Sequence, residues 1–402
     1  MTNTGRHYLA IPGPSVVPDR VLNAMHRASP DIYSGELHEI MPGIYEDLKK
    51  LARTKHYVAI YIANGHGAWE AANTNLFSPG DHALALVTGR FGEGWAQSVE
   101  ALGVTVQRLD FGKQSPVDPE AVAATLAADT DGRIKVVLMS HVDTTTSVRN
   151  DVAAVRAALD RAGHPALLAV DCIASLGCDV FEMDQWGVDV MVSASQKGMM
   201  TPPGLGFVWM NEKARQASLG SRWRTPYWDW LPRIDPSRFY QLFGGTAPTH
   251  HLFGLRAALD MLVREEGVEA AWRRHERLAR TVWTAFDAWG EGEDGQPTGI
   301  GLNVAAPSSR SHAVTTVKFV SPHATELRNW TQAHAGVTLG VGLGMAPEGD
   351  FGADGYLRIA HMGHVNTHMT LGVLGAIEAG MSALNIPHGS SALARAAAVL
   401  AS

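Results

Sequence analysis

Two residues, Asp171 and Lys197, frame the chemistry this chain could carry. Asp171 ends the apolar run ALLAVD, and Lys197 lies in VSASQKGMMTPPGLG, one crossover and one strand further on. Ligands of open α/β sheets sit beyond the carboxyl ends of the strands, so both side chains address one crevice. A lysine and a carboxylate so placed are what an aldehyde cofactor such as pyridoxal phosphate requires. The lysine forms a Schiff base and later moves a proton as a free amine. The carboxylate keeps the ring nitrogen protonated, so the ring accepts electrons when a substrate Cα proton leaves. Taken singly, Asp171 reads as a helix cap and Lys197 as a solvated loop lysine; the pairing argues for chemistry. A second signal is Asn64-Gly65-His66-Gly67, which follows a strand-like run and opens a helix over 66–77. Glycine permits close backbone approach, and a helix N-terminus offers free N–H groups to a phosphate. Many strand–helix turns contain glycine, so this motif is weak alone.

The elements that must position these residues read as alternating β and α. Candidate strands are 57–63, 83–88, 104–109, 134–140, 166–171, 188–194 and 205–210, several apolar almost throughout, as strands covered on both faces should be. Asp118 before Pro119, and Asp151 before 152–162, are helix start signals. The pattern predicts an α/β fold with a mainly parallel sheet. After Thr249 it changes: 252–264 and 268–289 read as long amphipathic helices, and 291–298 as a polar loop. A smaller α+β region follows, with strands near 313–320 and 356–360, helices near 324–335 and 367–384, and a short Ala/Ser-rich tail from Asn385. The expected organisation is an N-terminal arm (1–20), a large domain (21–265) and a small C-terminal domain (266–402). The 402 residues carry 46% hydrophobic and 18% charged residues and a net charge of −7, which disfavours nucleic-acid and anionic-membrane partners. No stretch of about 18 apolar residues predicts a membrane span, and residues 1–13 do not read as a secretory signal. Two cysteines, Cys172 and Cys178, are too few for a disulfide scaffold and predict buried thiols in a cytoplasmic protein.

The chain resembles the class V, fold-type I aminotransferases, and within them the alanine/serine–glyoxylate aminotransferase family. The resemblance rests on IPGPS (11–15), NGHGAWEAA (64–72), TGRFGEGW (88–95), HVDTTTSV (141–148), VDCIASLG (170–177), SASQKGMMTPPG (193–204), GGTAPT (244–249) and LRIAHMG (357–363). These motifs span nearly the whole chain. The resemblance implies a pyridoxal 5'-phosphate enzyme with a seven-stranded large-domain sheet and a homodimer with active sites at its interface. It casts Lys197 as the Schiff-base lysine, Asp171 as the pyridinium partner and Phe91 as an aromatic against the ring. Thr144 falls near the cofactor phenolate and the substrate. Asn64, Gly65, His66 and Gln196 fall in the phosphate cradle. Thr246 would reach the phosphate from the neighbouring subunit, and Arg358 would grip the substrate α-carboxylate, where its fork is geometrically apt. Phe243 departs from a frequent tyrosine and cannot donate to a phosphate. Asn64 departs from a frequent Ser or Thr, though an amide still donates.

The implied reaction moves the amino group of a small amino acid to glyoxylate or a similar 2-oxo acid by a ping-pong route. Serine and alanine are the favoured donors. Aspartate would want a second cation; Arg27, Arg90 and Arg224 are the nearby arginines, each also readable as a surface ion pair. Another class V activity, such as an amino acid lyase or hydrolase, is the alternative. A desulfurase would need a later cysteine that the chain lacks, and a nicotinamide-dependent dehydrogenase is less favoured. The aromatic run with Trp223, Trp228 and Trp230 reads as packing sooner than as a gate. His361, His364 and His368 have no acidic neighbours and read as structural, with no metal expected. Gly340, Gly342 and Gly344 lack the unit that a dinucleotide loop requires.

Overall fold

A computed structural model describes residues 5–292 and 296–401. Its strands run in chain order as β1 (Tyr8–Ala10), β2 (Tyr57–Ala63), β3 (His82–Val87), β4 (Thr105–Asp110), β5 (Ile134–Ser140), β6 (Leu167–Asp171), β7 (Val190–Ala194), β8 (Gly204–Met210), β9 (Gly301–Leu302), β10 (Val314–Lys318), β11 (Val337–Val341) and β12 (Tyr356–Ala360). A seven-stranded sheet has the order β2-β8-β7-β6-β5-β3-β4. It is parallel from β7 to β4, while β8 runs antiparallel to both β7 and β2. Every position of β6 and β7 is buried, which is why these strands read as unbroken apolar runs rather than as an alternation. The crossover helices begin where their caps predict: Asp118 accepts from the Glu120 N–H at 3.0 Å ahead of Pro119, and Asp151 from the Ala154 N–H at 2.9 Å.

The second sheet has five strands in the order β1-β11-β12-β10-β9. The helices Val268–Gly290, Thr367–Ala383 and Ala392–Ala401 pack on it around Phe286, Trp289, Leu357, Leu374 and Ile377. Part of the segment expected as an arm is therefore an edge strand, since residues 8–10 pair in parallel with β11. The expected tail is largely a helix. The helix expected over 252–264 is α-helical at Thr249–Leu259 and widens into a π-turn at Asp260–Glu266. Residues 1–4 of the expected arm, 293–295 of the expected loop and Ser402 lie outside the described residues. Cys172 and Cys178 are buried free thiols. Among the described residues no helix is long and apolar enough to cross a membrane.

Candidate active site

β6 delivers Asp171 almost completely buried, at 3% exposure. One carboxylate oxygen accepts from the Ile173 N–H at 2.7 Å and the other from the Trp69 indole at 3.0 Å. Burial outweighs these donors and pushes the carboxyl up to about 7, with Asp143 acting in the same direction and Lys197 against it. Lys197 follows β7. Its ammonium donates to the Pro12 carbonyl. Burial, aided by the charge of Arg358, lowers it to about 8, so a free amine is accessible near neutral pH. Two bonds lock the N-terminal segment onto this turn: Ser15 N–H to the Gln196 carbonyl at 2.9 Å and Ser15 Oγ to the Lys197 carbonyl at 2.7 Å. Gly13, two residues before Ser15, has φ +102, and a Cβ there would strike the Lys197 side chain.

The helix Gly65–Leu76 aims its N-terminus at the same place. A Cβ on Gly65 would lie 2.5 Å from Ile173 Cδ1, and one on Gly67 2.6 Å from Ala63 Cβ, so these glycines let the helix end descend onto the strand ends. Asn64 caps this helix: its side-chain oxygen accepts from the Gly67 N–H at 3.2 Å. That leaves the Gly65 and His66 N–H groups without intrahelical acceptors. Phe91 sits in the first turn of the helix Arg90–Glu100, its ring 6.3 Å from that of Trp69 and 6.4 Å from that of His66.

Eight of the ten expected site residues line one cavity of about 240 Å³: Asn64, Gly65, His66, Phe91, Thr144, Asp171, Gln196 and Lys197. Arg358 and Thr246 do not line it. Arg358, on β12, is buried and donates from Nε to the Val341 carbonyl at 2.7 Å and from Nη1 to the Thr144 carbonyl at 3.1 Å. Its Nη2 makes no hydrogen bond among the described residues. Burial lowers its guanidinium to about 10. Thr246 is exposed on the protomer, after Gly244 and Gly245. Trp69, Val142 and Ile173 line the cavity without having been expected. Trp69 had a usable signal, an indole on the motif helix that begins at the strand ends. Pro12 and Ser15 lie in the IPGPS motif, but only the tertiary fold brings them to Lys197.

Other expectations resolve around this site. Trp230 is fully buried and donates to Ser218 Oγ at 2.9 Å, while the Trp228 carbonyl accepts from Tyr61 and Asn75, so this part of the aromatic run is packing. His361 is held by the His312 carbonyl at 2.7 Å and Thr315 Oγ1 at 2.9 Å. Among the described residues no group of three or more His, Cys, Asp or Glu is arranged to hold a metal ion. A Cβ on Gly340 would meet Pro12 at 2.8 Å and one on Gly344 would meet Arg90 at 3.0 Å, so these glycines serve close packing. Phe243 packs against Phe239 with ring centroids 6.0 Å apart. Arg27 pairs with Glu36 and Arg224 with Asp229, whereas Arg90 makes no ion pair among the described residues.

A buried carboxylate, a lysine amine and an open helix end complement a pyridinium nitrogen, an aldehyde and a phosphate. Gln196 Oε1 is buried without a hydrogen-bond partner; turning that carboxamide presents N–H donors to an anion instead. The residues fit pyridoxal phosphate. A mainly parallel seven-stranded sheet serving such a pocket, with a smaller α+β domain beside it, defines a fold-type I pyridoxal-phosphate-dependent transferase. The profile of the family Aminotransferase class-V matches residues 7–368. The chain is 34% identical over 382 residues to the serine–glyoxylate aminotransferase of Arabidopsis thaliana, covering 94% of this chain and 91% of that one. It is 34% identical over 398 residues to the L-aspartate–glyoxylate aminotransferase of Paracoccus denitrificans, covering 96% and 93%. The solved ureidoglycine–glyoxylate aminotransferase of Bacillus subtilis has the same fold, with a TM-score of 0.87 at 23% identity over 99% of each chain. The chain belongs to the class-V aminotransferase family and is a pyridoxal-phosphate-dependent aminotransferase.

Proposed function

We propose that the protein moves the amino group of serine or alanine to glyoxylate, as a homodimer in the cytoplasm. The observation that carries the site assignment is the convergence of Asp171, Lys197 and the Gly65 helix end on one cavity. When bound, the cofactor supplies the electron sink that makes a substrate Cα–H acidic. Asp171 would pair with its ring nitrogen, with Trp69 and Ile173 N–H orienting the carboxylate. Lys197 would hold it through Nζ and would carry the substrate Cα proton at that atom; its lowered basicity suits that exchange. The N–H groups of Gly65 and His66 and the carboxamides of Asn64 and Gln196 hold the phosphate. Asn64 has only its amide N–H free for this, since its oxygen caps the helix. Phe91 walls one ring face and Thr144 offers its hydroxyl. Arg358 presents Nη2 to the substrate α-carboxylate, its other two nitrogens being anchored by carbonyls. Thr246, exposed on the protomer, reaches the partner subunit's phosphate. Buried reduced thiols support the cytoplasmic compartment.

Arg90 supports a second donor. It is the one arginine of the three candidates with no ion pair among the described residues, and its cleft shares His66, Trp69 and Phe91 with the Lys197 cavity. Aspartate would place its distal carboxylate there. A donor screen against glyoxylate and pyruvate, followed by the cofactor spectrum, tests both readings. Conversion with serine or alanine supports the first, and a preference for aspartate lost in Arg90→Gln supports the second. No conversion with any of the three removes both.

A further inference from the structure

Asp143 is fully buried, and none of its atoms reaches the lining of the Lys197 cavity. Its Oδ2 accepts from the Phe91 N–H at 2.8 Å and the Gly92 N–H at 3.2 Å, both free first-turn donors of the helix Arg90–Glu100. Its Oδ1 accepts from the Thr145 N–H at 2.9 Å and the Thr145 hydroxyl at 2.5 Å. Thr145 Oγ1 in turn accepts from the Arg90 N–H at 3.3 Å. Between Asp143 and Thr145 sits Thr144, whose side chain lines the cavity and whose carbonyl accepts from Arg358 Nη1. One carboxylate thus ties together the helix that carries Phe91, the turn that carries Thr144 and, through Thr144, the arginine of β12.

Gly89 is a second, independent sign. It occupies the cap position of the Phe91 helix with φ 166 and ψ −171, extended backbone that any residue adopts. Conformation does not demand glycine there. Space does, because a Cβ would fall 2.5 Å from Asp143 Oδ1 and 2.8 Å from Oδ2. A local Ser, Thr or Asp could have capped this helix alone. The chain instead leaves the cap bare and brings in a carboxylate from the Thr144 turn, so capping the helix and setting the pocket walls become one event.

We propose that Asp143 is a positioning residue for cofactor and substrate: it holds the Phe91 ring and the Thr144–Arg358 pair in one register. This rests on the reading of the Lys197 cavity as the cofactor site. The test uses full-length Asp143→Asn and Gly89→Ala, with Lys197→Ala alongside. Apoprotein is titrated with pyridoxal phosphate by quenching of tryptophan fluorescence. KM and kcat are measured after reconstitution, and the thermal midpoint is recorded. Asp143→Asn and Gly89→Ala should each raise the cofactor Kd and the KM for amino and 2-oxo acids roughly tenfold, the scale of one charged hydrogen bond, with a much smaller change in kcat at saturation. A merely structural role would lower the thermal midpoint and leave Kd and KM at wild-type values, and that result overturns the proposal. Should Asp143→Asn fail to fold, Gly89→Ala carries the same test, since it keeps the carboxylate and only displaces it. If Lys197→Ala weakens cofactor binding and the other two do not, the positioning role alone fails. If Lys197→Ala leaves binding unchanged, the cavity reading falls and the proposal with it.

Discussion

At the scale of single residues, Asp171 and Lys197 show a site held at a cost to the fold. Asp171 was legible because a carboxylate at the end of an all-apolar strand is out of place unless something uses it. Its ordinary value is 3.8, and burial raises it to about 7 in the folded chain. The folded state therefore binds a proton more tightly than the unfolded state between these values, and stability falls as pH rises through that window. The penalty is absent below about pH 4 and complete above pH 7, on the order of 4 kcal/mol. Asn at 171 buries no charge and keeps one of the two donors, Ile173 N–H or Trp69, losing one hydrogen bond worth about 1–3 kcal/mol, less than the penalty it removes. Apoprotein Asp171→Asn should thus melt higher than wild type at pH 8, the gap should close toward pH 4, and the reconstituted variant should lose most activity. Equal melting at pH 8 would show that the carboxylate is not strained. Lys197 carries the mirror effect: held at about 8, its amine is largely free where an ordinary lysine is charged. Brief acylation of apoprotein at pH 8, followed by peptide mapping, should modify Lys197 ahead of the surface lysines. Uniform labelling would contradict the lowered basicity. Arg358 is a different case. The family resemblance cast it as a carboxylate anchor, but two of its nitrogens are spent on the Val341 and Thr144 carbonyls, which no sequence pattern reveals. Arg358→Lys, which keeps charge and loses the fork, should raise KM for every α-carboxylate substrate by about tenfold or more. An unchanged KM would leave Arg358 only a structural tie.

At the scale of elements, the seven strands of the large sheet were legible within about two residues at each end, and for all but the edge strand β4, which has no buried position, burial on both faces writes itself as largely apolar composition. The smaller sheet was only half legible. β11 contains Gly340, and β1 is three residues long with Leu9 exposed, so neither shows a pattern that survives without its partner. The helix Glu36–Ala52 was missed as well. Pro42 interrupts its interior, although Leu37, Met41, Ile44, Tyr45 and Leu48 form a buried face at helical spacing. The helix Gly65–Leu76 was legible as an element, but the reason for its glycine was not. Gly65 is there because Ile173, the second residue after Asp171, occupies the space a Cβ would need. Gly65→Ala should push the helix end off the strand ends and weaken pyridoxal phosphate binding by about tenfold or more, since both N–H groups proposed to hold the phosphate move with it. The double variant Gly65→Ala/Ile173→Ala should recover much of the affinity. Failure of that rescue would locate the defect in the helix itself rather than in its seating.

At the scale of the whole molecule, the chain folds back on itself to finish the site. β1 joins the small sheet, and the residues after it, Pro12 to Ser15, lie across the Lys197 turn, so the N-terminal segment links the small sheet to the lysine that follows β7. Gly244, Gly245 and Thr246 are all exposed and do not line the Lys197 cavity. The proposed phosphate contact of Thr246 would serve either its own cavity or a partner's, and the two arrangements differ in a measurable way. Suppose Lys197→Ala protomers are mixed with Thr246→Ala protomers and allowed to exchange. If Thr246 acts across the interface, each hybrid has one site with both residues intact and one with neither. A fraction of sites should then bind pyridoxal phosphate with wild-type affinity, although neither parent protein does. If Thr246 serves its own site, every site in the mixture lacks one residue and no wild-type affinity returns. A monomeric protein of full activity in sedimentation and assay would end the cross-subunit reading before the mixing is attempted.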